Sequence, residues 1–198
     1  MTEEKELIDR LTRGDMAAFR ELVEEYKKKM YHFALDMVRN PADAEDISQE
    51  VFLKAFRGFK TFKRDAKLSS WLYRIAYNAS IDHLRKKSLA PLGVEDIVLD
   101  VSSSGFSDSP ASPDPARTAE NRLLQARVER ALQKVSDRER TVFLLRHYND
   151  LMLDEIAETM QISVGSVKSY LFRCLRKIQK ELAVPGTPEQ MEVPDEGL

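Results

Sequence analysis

Residues 89–118 set the first limit on the fold, because that stretch cannot build a core. It contains Ser102-Ser103-Ser104-Gly105 and Ser109-Pro110-Ala111-Ser112-Pro113-Asp114-Pro115. Proline removes a backbone donor, and residues 102–115, with Phe106 as their one large apolar side chain, bury too little surface to offset the entropy of ordering. It reads as a flexible linker, able to span at most roughly 100 Å if about thirty residues were fully extended. The chain is thereby divided into residues 1–88, a linker at 89–118, residues 119–184, and a short tail at 185–198 that is expected to be disordered.

Both flanking segments carry helical patterning. After Gly14-Asp15, apolar residues recur at Phe19, Leu22, Val23, Tyr26, Met30, Phe33, Ala34 and Met37, one continuous stripe at helical period. Asn40-Pro41 ends that helix and starts the next, with Asn as N-cap and Pro in the first turn. Ser69-Ser70 reads as the cap of a further helix, with Leu72, Ile75, Ala76 and Ala79 on its apolar face. Trp71, Arg74, Asn78, Asp82 and Arg85 line the opposite, outward face. Beyond the linker, Leu123, Leu124, Val128, Ala131 and Leu132 resume the period, and Ser136-Asp137-Arg138-Glu139 is a capping-box pattern. No strand pattern competes. The expected fold is all-α, two small helical domains on a tether.

Composition narrows the function classes. The single cysteine, Cys174, excludes an internal disulfide and fits a reducing compartment. With that cysteine and three scattered histidines, His32, His83 and His147, no metal site and no cofactor are expected. No apolar run approaches the roughly 20 residues of a membrane helix. The charged segment Met1 to Arg10 lacks a signal core, so a cytoplasmic protein without membrane insertion is expected.

Net charge is only −2, but its distribution matters more. Six bases, Lys54, Arg57, Lys60, Lys63, Arg64 and Lys67, face one acid in residues 54–67. Five more, Lys168, Arg173, Arg176, Lys177 and Lys180, face only Glu181 in residues 164–182. Residues 89–116 carry five acids, Glu95, Asp96, Asp100, Asp108 and Asp114, and no base. Two basic surfaces and an acidic strap give a near-neutral total.

The sharpest local motif is a helix-turn-helix at residues 153–180. Glu155-Ile156-Ala157 supplies a first helix whose small Ala157 permits a close crossing. Ile162 fills the turn, Ser163 caps the second helix, and Val167, Leu171, Cys174 and Ile178 form its buried side. Ser166, Lys168, Ser169, Phe172, Arg173 and Arg176 remain outward, short polar and cationic groups suited to phosphates and base edges in a major groove. A second motif runs from Lys54 to Arg85, where aromatics alternate with bases, as single-stranded nucleic acid requires. A third is the acidic run Asp43, Glu45, Asp46 and Glu50, at most a docking surface for a basic partner.

These motifs, in this order, resemble the extracytoplasmic-function sigma factors of the sigma-70 class. Gly14-Asp15 with Ala18-Phe19, then Asp43-Ala-Glu-Asp-Ile-Ser-Gln-Glu-Val-Phe52, then Ser70-Trp-Leu-Tyr-Arg-Ile-Ala-Tyr-Asn78, look like that family's region 2. Residues 139–182, with Glu155-Ile-Ala157 and Val164-Gly-Ser-Val-Lys-Ser169, look like its region 4. The resemblance implies a non-enzymatic initiation factor. Asp46, Gln49, Glu50 and Leu53 would dock on the β′ clamp helices of core RNA polymerase. Phe62, Lys63, Arg64, Asp65 and Lys67 would form a loop trapping a flipped −10 base, beside Trp71, Arg74 and Asn78. Ser166, Lys168, Ser169, Phe172, Arg173 and Arg176 would contact the −35 element, and the second domain would also meet the β flap. The linker would thread a basic channel, and an anti-sigma factor is the implied regulator. This chain departs from the family pattern at Met152, where a capping Ser is common, at Arg64, where Gly is frequent, and at Tyr170, often basic. A free-standing regulator with the same helix-turn-helix would leave the Lys54 to Arg85 segment without a task. A metal-dependent hydrolase would need Asp43, Asp46 and Glu50 to converge.

Overall fold

The computed structural model describes residues 2–62, 67–89, 124, 126–128 and 130–182, and every regular element among them is helical. The all-α expectation holds. Leu89, expected as the first linker residue, instead ends a helix, while 90–118, the tail positions and Lys63, Arg64 and Asp65 lie outside the described residues.

Helix α1 (Thr2–Thr12) buries Leu7, Ile8 and Leu11. The chain reverses at Gly14, whose φ of 80° lies in the left-handed region that favours glycine. Asp15 then caps α2 (Met16–Val38) by accepting the Ala17 and Ala18 N–H groups. The same side chain takes Arg10 Nε at 2.9 Å, and Arg10 also reaches Glu21 at 3.0 Å, which ties α1 to α2. Arg39, at φ 55°, closes α2 in the left-handed region, and Asn40 caps α3 (Pro41–Gly58) through the Asp43 N–H. Leu22, Met30, Ile47 and Val51 are fully buried between these helices. Each such side chain contributes about 1.5–3 kcal/mol.

A short 3-10 turn, Phe59–Thr61, leads towards α4 (Leu68–Leu89). Here the start differs from the sequence expectation. Ser69 and Ser70 fall inside the first turn, and the Leu68 N–H instead donates to Glu4 Oε1 of α1 at 3.3 Å. A partner distant in sequence supplies the acceptor that a local cap would have provided. Tyr73 is also buried on α4, alongside Leu72, Ala76 and Ala79.

In the second half, helical backbone at 130–133 precedes α5 (Asp137–His147), α6 (Leu153–Met160) and α7 (Val164–Leu182). The Ser136 capping box is complete, with the Glu139 N–H on Ser136 Oγ and the Ser136 N–H on Glu139 Oε2. Ala131, Leu132, Val135, Phe143, Cys174 and Ile178 form a small core of their own. Burial pushes the Cys174 thiol up to about 12, so it stays un-ionised and apolar in character.

The two halves pack together. One apolar cluster runs without interruption from Leu7 in α1 to Val167 in α7, passing through Val142, Leu145 and Ile156. Polar contacts stitch the seam. Arg140 of α5 meets Asp36 of α2 at 3.2 Å, with side-chain exposures of only 15% and 7%. Tyr73 donates to Asn149, and α6 lies along α4 with Lys67 on Glu155 at 3.2 Å and Arg74 on Glu158. A tether long enough to hold domains far apart does not require them to be so.

Candidate nucleic-acid and polymerase interfaces

The acidic run on α3 splits by helical phase. Asp43 turns towards α4, where it meets His83 Nε2 at 3.1 Å and Lys87 Nζ at 3.9 Å. Asp46, Gln49, Glu50 and Leu53 stay on the exposed face, with Glu50 paired to Lys54 at 2.8 Å. Among the described residues no three His, Cys, Asp or Glu side chains converge as a metal site. Beside that face, Met16, Phe19, Val23, Gln49, Phe52, Leu53 and Phe56 line an open groove of about 440 Å³. Leu53 and Phe56 are 58% and 47% exposed, an apolar lip next to carboxylates. Such a surface suits a partner helix with both apolar and basic positions.

On α4 the aromatic expectation needs correction. Trp71 is half-buried rather than outward, and Phe62 is buried rather than presented on a loop. The Phe59 and Phe62 rings each sit 5.0 Å from the Trp71 ring, a cluster that removes three large apolar surfaces from water. Gly58 is fitted to this cluster, since a Cβ there would stand 3.0 Å from Trp71 Cζ2. Asn78 remains exposed, Arg74 is half-buried against Glu158, and Lys67 is held by Glu155.

The α7 face is built differently. Ser163 accepts the Ser166 N–H at 3.1 Å and its Oγ lies 2.9 Å from Ser166 Oγ. Gln161, at φ 55°, makes the tight turn from α6. Ser169 Oγ donates to the Gly165 carbonyl at 2.9 Å, and Lys168 projects into solvent. Phe172 is 53% exposed with the Arg176 guanidinium 5.8 Å from its ring centre. Met152 supplies no hydrogen-bonding cap to α6, but Glu155 accepts the Met152 N–H at 2.7 Å, which satisfies the helix start by another route. Tyr170 is half-buried, accepts from Arg138 at 3.3 Å, and lies under the Arg173 guanidinium at 4.9 Å.

Sequence reasoning missed the carboxylates that address these cations. Glu155 read only as part of the first helix of the helix-turn-helix, Glu158 drew no reading, and Glu139 read only as the last residue of a capping-box pattern. Glu139 is 4% exposed and also receives Lys177 Nζ at 2.7 Å and faces Arg173 Nε at 3.4 Å. Glu139 lies 34 residues before Arg173 and 38 before Lys177, a separation that carries no signal for that meeting.

Comparison with known proteins fits this arrangement. The family model for sigma-70 region 2 matches residues 22–89, and that for sigma-70 region 4 matches residues 125–178. The ECF RNA polymerase sigma factor SigW of Bacillus subtilis (strain 168) is 34% identical over 188 residues, covering 90% of this chain and 96% of the relative. The RNA polymerase sigma-H factor of Pseudomonas aeruginosa is 32% identical over 184 residues, covering 91% of this chain and 94% of the relative. Among solved structures, CnrH in complex with the cytosolic domain of CnrY aligns with a TM-score of 0.63 at 20% identity, over 90% of this chain and 96% of that one. The sigma factor RpoE of Bartonella quintana, in complex with the anti-sigma factor NepR, aligns with a TM-score of 0.64 at 18% identity, over 84% of this chain and 98% of that one. At these identities the structures speak for the fold alone. The sequence relatives decide the rest: the chain belongs to the extracytoplasmic-function RNA polymerase sigma factors of the sigma-70 family, which direct transcription initiation.

Proposed function

We propose that this sigma factor divides promoter recognition between its halves. The segment 119–184 reads a duplex −35 element through the outward face of α7, with Ser166, Lys168, Ser169, Phe172, Arg173 and Arg176 as contacts. The segment 1–88 docks on the β′ clamp helices of core polymerase through Asp46, Gln49, Glu50 and Leu53, and holds unpaired −10 bases near Phe62, Lys63, Arg64, Asp65, Lys67, Trp71, Arg74 and Asn78. The observation that carries this is the α7 face: a Ser-capped helix start followed by exposed cations, on the second helix of a helix-turn-helix. Such a face offers bonds to both phosphates and base edges.

Base capture needs no ATP. Flipping a base costs on the order of a few kcal/mol, and stacking on an aromatic side chain returns roughly 1–3 kcal/mol. Because Trp71 is packed by Phe59 and Phe62, its exposed edge, rather than a free ring, is what a base would meet. Lys67 and Arg74 are engaged by α6, so the halves part before those cations reach DNA. The residues 89–118 connect the halves and supply acid for a basic channel in the polymerase, and the second half also meets the β flap. A partner of the anti-sigma class, as named for the RpoE complex, is proposed as the regulator.

The test is run-off transcription with sigma-free core polymerase on genomic promoter fragments. New starts that share paired −35 and −10 motifs are the expected result. In the same assay Arg173→Ala lowers −35-dependent initiation with core affinity unchanged, and Trp71→Ala slows opening more than it weakens core binding. Equal loss of core affinity in both variants overturns the division of labour.

A further inference from the structure

Arg173 stands out among the α7 cations because two other side chains hold it. Its Nε faces Glu139 Oε1 at 3.4 Å, and its guanidinium lies 4.9 Å from the centre of the Tyr170 ring. Both holders are themselves fixed. Glu139 is 4% exposed, and its Oε2 accepts the Ser136 N–H at 3.0 Å and Lys177 Nζ at 2.7 Å. Tyr170 accepts Arg138 Nη1 at 3.3 Å. Despite this the Arg173 side chain is 55% exposed. Lys168, by contrast, projects into solvent without such a cradle.

A guanidinium carries five N–H donors in a rigid planar fork. When Nε is turned to an internal carboxylate and one face rests on a ring, the terminal amino groups remain for an outside acceptor. Two terminal amino groups match the O6 and N7 acceptors of guanine in the major groove. Fixing the side chain beforehand spares the ordering entropy a free arginine loses on binding.

We propose that Glu139 and Tyr170 are positioning residues for base readout, which orient Arg173 as a two-pronged donor to one guanine of the −35 element. This rests on the −35 role given to α7 above and adds to it a base identity and the residues that enforce it. Tyr170, at a position where the family resemblance often has a basic residue, thus supplies a platform under Arg173. Glu139 joins the start of α5 to the middle of α7, so its charge acts on recognition without touching DNA.

The experiment uses the full chain assembled with core polymerase, on a promoter series in which each −35 guanine in turn is replaced by 7-deazaguanine, which lacks the N7 acceptor. The wild type is expected to lose roughly ten-fold in open-complex formation at one position, the scale of a bidentate base contact. Glu139→Gln keeps an oxygen for the Ser136 N–H but removes the charge facing Arg173. It is expected to shrink that loss to about two-fold, as is Arg173→Lys, which cannot make the fork. Tyr170→Phe retains the ten-fold loss and Tyr170→Leu does not, an arm that stands even if Glu139→Gln folds poorly. A Glu139→Gln protein that melts as a folded domain and keeps the full wild-type ratio overturns the positioning role. A wild type indifferent to 7-deazaguanine at every position, yet sensitive to a scrambled −35 sequence, overturns the guanine assignment alone. Indifference to the scramble as well brings down the −35 role of α7 itself.

Discussion

The basic faces of α4 and α7 look alike in sequence and differ in the folded protein. Lys67, just before α4, and Arg74 on it are met from outside their own half, by Glu155 and Glu158 of α6. On α7, Arg173 and Lys177 are met from within, by Glu139, and Lys168 and Arg176 face solvent. One set of cations is covered by carboxylates of the other half. The other is shaped by a carboxylate of its own half. A run of charge therefore says little about readiness to bind until the positions of the opposing carboxylates are known. Glu155 serves both ends, since its carboxylate also satisfies the start of α6.

The largest effect on this contrast is expected at the seam. Asp36→Ala strands Arg140 in a site where its side chain is only 15% exposed, and removing one member of a buried pair costs about 3–5 kcal/mol. The halves should separate, read as a longer distance between labels on α2 and α5, while −35 duplex binding is retained. An unchanged distance would mean that the apolar cluster alone holds the seam. Next comes Gly58→Ala, whose Cβ would meet Trp71 at 3.0 Å. Overpacking of this kind costs about 1–3 kcal/mol. Trp71 is the only tryptophan, so its emission should shift while α7 binding does not.

Acid sharpens the α7 side of the contrast. Burial pushes the Glu139 carboxyl up, but the hydrogen bonds from Lys177 and Ser136 outweigh it and leave it below its ordinary 4.5. A lowered folded pKa gives stability that is present above the unfolded value and lost as pH falls through the folded one. Thermal melts should therefore show the second half weakening below about pH 4.5, with a flatter profile in Glu139→Gln. The smallest effect is expected for Glu158→Gln. An exposed pair is worth about 0.2–1 kcal/mol, so single-stranded DNA should bind the free factor at most about five-fold more tightly. Weaker binding would show that Glu158 is not a competitor for Arg74.

What the sequence made legible was local. Asn40-Pro41, the Ser136 box and Ser163 act within a single turn, so their residues announce the helix starts directly. The all-α fold and the buried stripe of α7 followed from period, with Leu171 only half-buried, and the family followed from a resemblance of motifs taken in order. Contacts between elements were less visible. Ser69 and Ser70 looked like caps because nothing nearby reveals that Glu4 reaches the Leu68 N–H. Trp71 looked outward because it shares a helical face with Arg74 and Asn78, yet Phe59 and Phe62 close over it. Tyr73 was overlooked because its buried position depends on Phe33 of α2, whose ring lies 5.4 Å away. The meeting of Glu139 with α7 and of Glu158 with α4 depends on how helices cross, which side-chain periodicity does not encode.

The seam between α4 and α6 also acts on concentration. Any ligand that needs Lys67 and Arg74 free encounters only the fraction of molecules whose halves have parted, and its apparent dissociation constant is the intrinsic one divided by that fraction. A packed state favoured by about 1.4 kcal/mol makes such a ligand bind about ten-fold more weakly than the bare surface would. The Glu139 contacts to Arg173 and Lys177 lie within one half and carry no such factor. The same protein thus carries one surface whose strength is fixed by its chemistry and another whose strength is set by a population.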